Sequence, residues 1–121
     1  GPLIHPNQVE KVRRMLQEAA DDGATLLCGG GTPAGLPERC QRGCFVAPCV
    51  LEGAKQDDRI TQNETFGPMT SLQAFDTEEE AIALANGTKY GLAASVFAGD
   101  SGAAQRIARA IDAGTVWVNC W

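Results

Sequence analysis

Glu64-Thr65-Phe66-Gly67-Pro68 sets a carboxylate, an aromatic ring and a Gly-Pro turn within five residues. An ionised carboxylate offers four lone-pair sites, so Glu64 can accept hydrogen bonds from both hydroxyls of a ribose at once. Phe66, two residues on, could lay its ring beside the ribose and an attached planar base, with Gly67-Pro68 fixing the turn that presents both side chains. The same pattern also fits an exposed acid in a turn beside a buried phenylalanine.

Other chemistry-bearing residue types lack the surroundings their chemistry needs. Five cysteines form an odd set, and Cys40, Cys44 and Cys49 are separated by three and four residues, with no Cys-x-x-Cys pair and only His5 as an imidazole. Those spacings do not match a zinc site and point to reduced thiols packed as small apolar groups, so no metal is expected. A nucleophilic cysteine needs a lowered pKa and an oxyanion hole. Cys49 follows Pro48 in an apolar strand with neither in view, and no residue is assigned a catalytic role. Glu78-Glu79-Glu80 fits the acidic first turn of a helix. Gly29-Gly30-Gly31 lacks a following Gly-Lys-Ser/Thr, and Pro33 and Pro37 keep it from opening into a helix that could hold phosphate.

The elements that must position these residues can be read from periodicity. Residues 7 to 22 carry Val9, Val12, Leu16 and Ala19 or Ala20 at helical spacing, with Pro6 before them and Gly23 at the left-handed cap. Ala24 to Cys28 reads as a strand and Gly29 to Gly43 as an exposed loop. Cys44 to Leu51 reads as a strand interrupted at Pro48, at an edge or bulge. Beyond the polar stretch from Glu52 to Asn63 come a strand from Thr70 to Phe75 and a helix opened by a Thr77/Glu80 capping box and stopped at Asn86-Gly87. A strand from Ala94 to Ala98 follows, then a helix capped by Asp100 or Ser101 with Ala104, Ile107, Ala108 and Ile111 on one face. Thr115 to Val118 is the last strand. Strands alternating with helices through short connections predict right-handed crossovers in a parallel sheet.

The 121 residues have room for one domain, and 44% hydrophobic with 21% charged residues predicts an ordered one. A formal net charge of −5 with scattered Lys and Arg gives no basic field for nucleic acid. No apolar run approaches the roughly 20 residues that cross a bilayer.

Together with Asn86, Tyr90-Gly91-Leu92-Ala93-Ala94 and Gly114-Thr115-Val116-Trp117-Val118-Asn119, the Glu64 to Pro68 motif resembles the catalytic domain of NAD(P)-dependent aldehyde dehydrogenases. The resemblance runs from Gly1-Pro2-Leu3-Ile4 through Cys120. It implies a three-layer α/β fold with a largely parallel sheet, residues 1–121 being a single partial catalytic domain. Cofactor contacts fall on Glu64 and Phe66, the cofactor being NAD or NADP. Trp121 would stand in the aromatic wall of the aldehyde tunnel; a terminal tryptophan that simply packs or lies exposed fits the same position. Asn119 is expected to hydrogen-bond loop backbone. Where the family has a second acid, this chain has Asn63.

The family's Gly-Gln-x-Cys nucleophile segment, its Glu-Leu-Gly-Gly base segment and its dinucleotide-binding domain have no counterpart here, so the chain reads as a middle piece, inactive by itself. The resemblance implies that the intact enzyme oxidises a small-molecule aldehyde by thiolate attack, hydride transfer and thioester hydrolysis. It implies equally a cytoplasmic homo-oligomer. Two rivals remain: a truncated family member acting as a binding or assembly module, and a nucleotide-binding module acting alone.

Overall fold

The computed structural model describes residues 1–121, which form two compact units, Gly1–Gln73 and Ala74–Trp121. Unit 1 opens with helix α1, Pro6–Asp21. Proline at the first helical position costs no hydrogen bond. His5, exposed at the surface, is the N-cap, its Nδ1 accepting from the Asn7 amide at 3.1 Å. At the other end Gly23 takes φ +97°, the left-handed stop its position predicts. The apolar stripe is Val9, Val12, Met15 and Ala19, all buried; Met15 faces the core in place of the expected Leu16, which is half-buried beside it.

Strands β1 (Thr25–Cys28), β2 (Cys49–Glu52) and β3 (Met69–Leu72) make one sheet in the order β1-β2-β3. β1 runs antiparallel to β2, and β2 runs parallel to β3 with Cys49 opposite Met69. The strand expected over Cys44 to Leu51 at an edge or bulge is thus the central strand. It starts only after Pro48, because a ring without an N–H cannot serve a strand paired on both sides; the bulge falls on β1, between Leu26 and Cys28. Leu51, 1% exposed, joins Met15, Ala19, Ala24, Ala54 and Ile60 in the core. Ile60 belongs to a one-turn helix, α2 (Arg59–Gln62), within the polar stretch from Glu52 to Asn63. Arg59 ties α2 to the end of α1, donating to both Asp22 carboxylate oxygens at 2.8 and 3.1 Å. Hydrogen bonding from Arg59, then its charge, holds the Asp22 carboxyl below its ordinary value.

Unit 2 contains α3 (Glu78–Asn86), β4 (Ala93–Val96), α4 (Ser101–Ala110) and β5 (Thr115–Val118). β4 and β5 pair in parallel across α4, the crossover predicted from their spacing. The α/β class and parallel pairing hold, with one difference in partnership: β3 pairs with β2, while β4 and β5 form a sheet of their own. The reason lies just before β3, where the Cys49 amide donates to the Pro68 carbonyl at 2.9 Å and seats that strand beside β2.

Thr77 caps α3 by accepting from the Glu80 amide at 3.1 Å. The reciprocal arm of the predicted capping box reaches one residue further back, Glu80 Oε2 accepting from the Asp76 amide at 2.8 Å. Asp100, the first of two predicted caps for α4, accepts from the Ala103 amide. Asn86 joins the ends of both helices, donating to the Ala110 carbonyl at 2.8 Å and accepting from the Asp112 amide at 2.9 Å.

Candidate functional site

The Glu64 to Pro68 segment lies between α2 and β3 in unit 1. Asn63 sets its start by closing α2: both its backbone amide and its side-chain Nδ2 donate to the Arg59 carbonyl at 3.0 Å. An acid here could accept but not donate, which gives the asparagine a local reason. The segment then runs over α1. Lys11 Nζ donates to the Glu64 carbonyl at 3.0 Å, and Gln8 Nε2 donates to the carbonyls of Thr65 at 2.9 Å and Phe66 at 2.7 Å. At its far end, Pro68 accepts from the Cys49 amide.

Both candidate side chains face solvent. Glu64 is exposed, and Phe66 is 71% exposed, so it is not the buried ring that a plain turn would bury. Lys11 Nζ stands 5.5 Å from the Phe66 ring centroid, within cation–π range. Phe66 adopts φ +54°, a left-handed conformation that is uncommon for a bulky residue and that its neighbours must hold.

Trp121 belongs to unit 2, where it is 89% exposed and tilted at 57° against Phe97, with ring centroids 6.1 Å apart. Together with Ala93, Ala94, Ser95, Phe97 and Trp117 it lines an open groove of about 420 Å³. Ser95 and Trp117 are directly opposed across β4 and β5, so pleating puts them on one face while Val96 and Val118 take the other. Asn119, at φ +54°, latches the end of this sheet. Its Oδ1 accepts from the Ala98 amide at 2.9 Å, its Nδ2 donates to the Ala98 carbonyl at 3.1 Å, and its own amide donates to the Val96 carbonyl. That is the backbone role its position implied, and it sets the exit of the chain towards Trp121.

Gln8, Lys11, Phe97 and Trp117 escape the sequence reading. Gln8 and Lys11 sit among ordinary polar residues of an amphipathic helix, and nothing in its periodicity marks a polar side chain that reaches a loop more than 50 residues away. Phe97 was legible in principle, standing two residues from Ser95 on one face of its strand.

None of the five cysteines is bonded to another, and no group of three or more His, Cys, Asp or Glu side chains could hold a metal ion. Burial, and then the neighbouring Cys28, push the Cys49 thiol up from its ordinary value. A raised pKa reduces the thiolate fraction and makes the thiol inert. In alkylation with iodoacetamide at neutral pH, followed by mass spectrometry, the exposed Cys28 and Cys120 should be modified first and the buried Cys49 last; early modification of Cys49 would contradict the burial argument.

No helix of the chain is long and apolar enough to cross a membrane.

The sequence profile of the aldehyde dehydrogenase family matches residues 1–121. Among curated relatives, the bovine (Bos taurus) 2-aminomuconic semialdehyde dehydrogenase is 43% identical over all of this chain, which covers 25% of that protein. The 2-hydroxymuconic semialdehyde dehydrogenase of Pseudomonas putida is 44% identical, again over all of this chain and 25% of that one. A crystal structure of Staphylococcus aureus betaine aldehyde dehydrogenase in complex with NAD+ superposes with a TM-score of 0.94 at 40% identity, covering 100% of this chain and 24% of that one. The chain thus spans about a quarter of the length of the relatives it matches. With a match over every residue, carried by both sequence and backbone, the chain belongs to the aldehyde dehydrogenase family.

Proposed function

We propose that residues 1–121 serve within an NAD(P)-dependent aldehyde dehydrogenase, where Glu64 and Phe66 hold the cofactor's ribose and nicotinamide end and Trp121 forms part of the wall facing a small-molecule aldehyde. The observation that carries this reading is the presentation of Glu64 and Phe66: two residues apart in one loop, both exposed, in a segment whose three consecutive backbone carbonyls accept from α1.

These residues fit such a cofactor. Glu64 supplies an acceptor-only carboxylate for the two donors of a ribose diol. The open Phe66 ring offers an apolar face to a planar group. When bound, the nicotinamide supplies the hydride-accepting ring; the chain's own part is to bind and orient. The Phe97 and Trp121 pair gives unit 2 an aromatic surface suited to excluding water from an aldehyde path. The shared family, whose S. aureus member was crystallised with NAD+, supports the same assignment.

By themselves these 121 residues should not turn over aldehyde. The sequence holds no Gly-Gln-x-Cys segment, and the Cys49 thiol is moved the wrong way for a nucleophile, upward by burial. The same reading places the protein in a reducing compartment such as the cytoplasm, in keeping with five free thiols, and in the homo-oligomer that the family resemblance implies.

Glu64→Gln tests the reading in a dehydrogenase polypeptide containing this sequence. The amide replaces one acceptor with a donor that meets a ribose hydroxyl poorly. KM for NAD or NADP should rise about tenfold or more, with a smaller change in kcat at saturating cofactor. An unchanged cofactor KM would sink the ribose assignment.

A further inference from the structure

Of the four asparagines in the chain, at positions 7, 63, 86 and 119, Asn86 alone is followed by glycine. A glycine after asparagine leaves the next backbone nitrogen without a Cβ beside it and with wide rotational range. That nitrogen can then attack the asparagine side-chain carbonyl. In the folded chain every group this reaction needs is engaged. Asn86 Nδ2 donates to the Ala110 carbonyl at 2.8 Å, and Oδ1 accepts from the Asp112 amide at 2.9 Å. The Gly87 amide donates back along α3 to the Leu84 carbonyl at 3.3 Å, which directs the nucleophilic nitrogen away from the Asn86 side chain.

Unit 2 has little else to keep this junction shut. Its buried side chains are Val96 and Ala104, and α3 contributes none. The side chains that join α3 to α4 are polar: Asn86 at the end of α3, and at its start Glu78, paired with Arg106 at 2.8 Å. Segments with few buried apolar contacts are those that open most often.

We propose that Asn86 is a deamidation site gated by the fold of unit 2. When the junction opens, the Gly87 nitrogen loses its proton to solvent base and attacks Asn86 Cγ. The new N–Cγ bond forms, the Cγ–Nδ2 bond breaks, and the side-chain nitrogen leaves as ammonia. Water then opens the cyclic imide at one of its two carbonyls, which leaves aspartate or isoaspartate at position 86. Water is the only reagent consumed. The change runs one way, because the new carboxylate can still accept from the Asp112 amide but cannot donate to the Ala110 carbonyl. Two acceptors then face each other where a hydrogen bond stood, and a negative charge lies at the negative end of α4. A junction that has reacted therefore opens more readily than before. The inference is independent of the cofactor reading of Glu64.

The test uses a polypeptide containing residues 1–121, incubated at mildly alkaline pH in native buffer and in denaturing urea. Peptide mass spectrometry follows replacement of the side-chain NH2 by OH at position 86, with Asn63, followed by Glu64, as the slow control. Reaction at position 86 should run about tenfold or more faster in urea than in native buffer. Gly87→Ala should slow the urea reaction by about tenfold. Val96→Ala, which hollows the core of unit 2 and leaves the Asn-Gly pair intact, should speed the native reaction about fivefold or more. In Asn86→Asp, amide exchange in the peptides of α3 and α4 should quicken by about tenfold.

Equal rates in native buffer and urea, or a native rate unmoved by Val96→Ala, would overturn the gating. No conversion at position 86 in urea would remove the site altogether. Exchange in Asn86→Asp equal to that of the parent would show that the junction tolerates a carboxylate, and the one-way consequence would fall. The comparison of native buffer with urea is made on the parent chain, so it holds whether or not a variant folds.

Discussion

Replacing Gly29 by alanine should cost unit 1 more than about 4 kcal/mol, a large share of the roughly 5–15 kcal/mol that a domain has in total. Two effects add. The residue has φ +76°, where a Cβ costs about 1–2 kcal/mol. The larger effect is steric: the new Cβ would fall on the Pro48 carbonyl oxygen, 2.6 Å from its carbon and 2.9 Å from Cys49 Cα. Those are backbone atoms leading into the central strand, so relief requires the segment after β1 to move off the segment before β2, where the Gly30 amide donates to the Ala47 carbonyl and the Ala47 amide to the Gly31 carbonyl.

Two neighbouring glycines separate the contributions. Gly23→Ala, at φ +97° with nothing within 4 Å, should lose only the conformational part, about 1–2 kcal/mol. Gly31→Ala, in open space without a positive φ, should stay within about 0.5 kcal/mol of the parent. Both tryptophans lie in unit 2, so urea unfolding of unit 1 is followed by far-UV circular dichroism or amide exchange rather than by indole fluorescence. Equal losses at Gly29 and Gly23 would show that the Pro48 contact carries no weight.

Leu51→Ala should be the second large loss, about 3 kcal/mol within the 2–5 kcal/mol range for such truncations. Leu51 stands on the central strand, 1% exposed. Three of its core companions, Ala19, Ala24 and Ala54, are methyl groups fixed to backbone and cannot move to fill the space. Met15, Ile60, Leu16 and Met69 are the side chains long enough to lean in, and methionine adapts to irregular gaps, which keeps the loss below the top of the range. Leu51→Met, nearly equal in volume, should cost less than about 1.5 kcal/mol. Leu92→Ala, at a position 89% exposed, should change little. Denaturant midpoints of the three variants at constant slope would rank them; a Leu51→Ala midpoint equal to that of Leu92→Ala would refute the core assignment.

Helix α1 shows how far periodicity reaches. Its limits, its Gly23 stop and three of its four buried positions are legible, because Pro6, Gly23 and the spacing of Val9, Val12 and Ala19 act locally. The choice of Met15 over Leu16 is not, since both lie near the apolar stripe and only the sheet beneath decides which one faces it. The same holds for β3. Its existence is written in its residues, whereas its partner is decided by the Pro68 to Cys49 bond, between groups 19 residues apart.

The site divides along the same line. The sequence alone is enough for the α/β class, the β4–α4–β5 crossover, the cap at Thr77, the narrowing to Asp100 or Ser101 at the start of α4, and the family, and it nominates Glu64 and Phe66 for the ligand role proposed above. Each depends on residue type and short-range spacing, which a linear chain displays directly. Tertiary structure alone decided that Phe66 is open rather than buried, that it is held at positive φ, and that Gln8 and Lys11 hold it there. The physical reason is that a side-chain amide or ammonium binds whichever carbonyl the fold brings within about 3 Å, and that proximity is set by packing α1 against a loop more than 50 residues away.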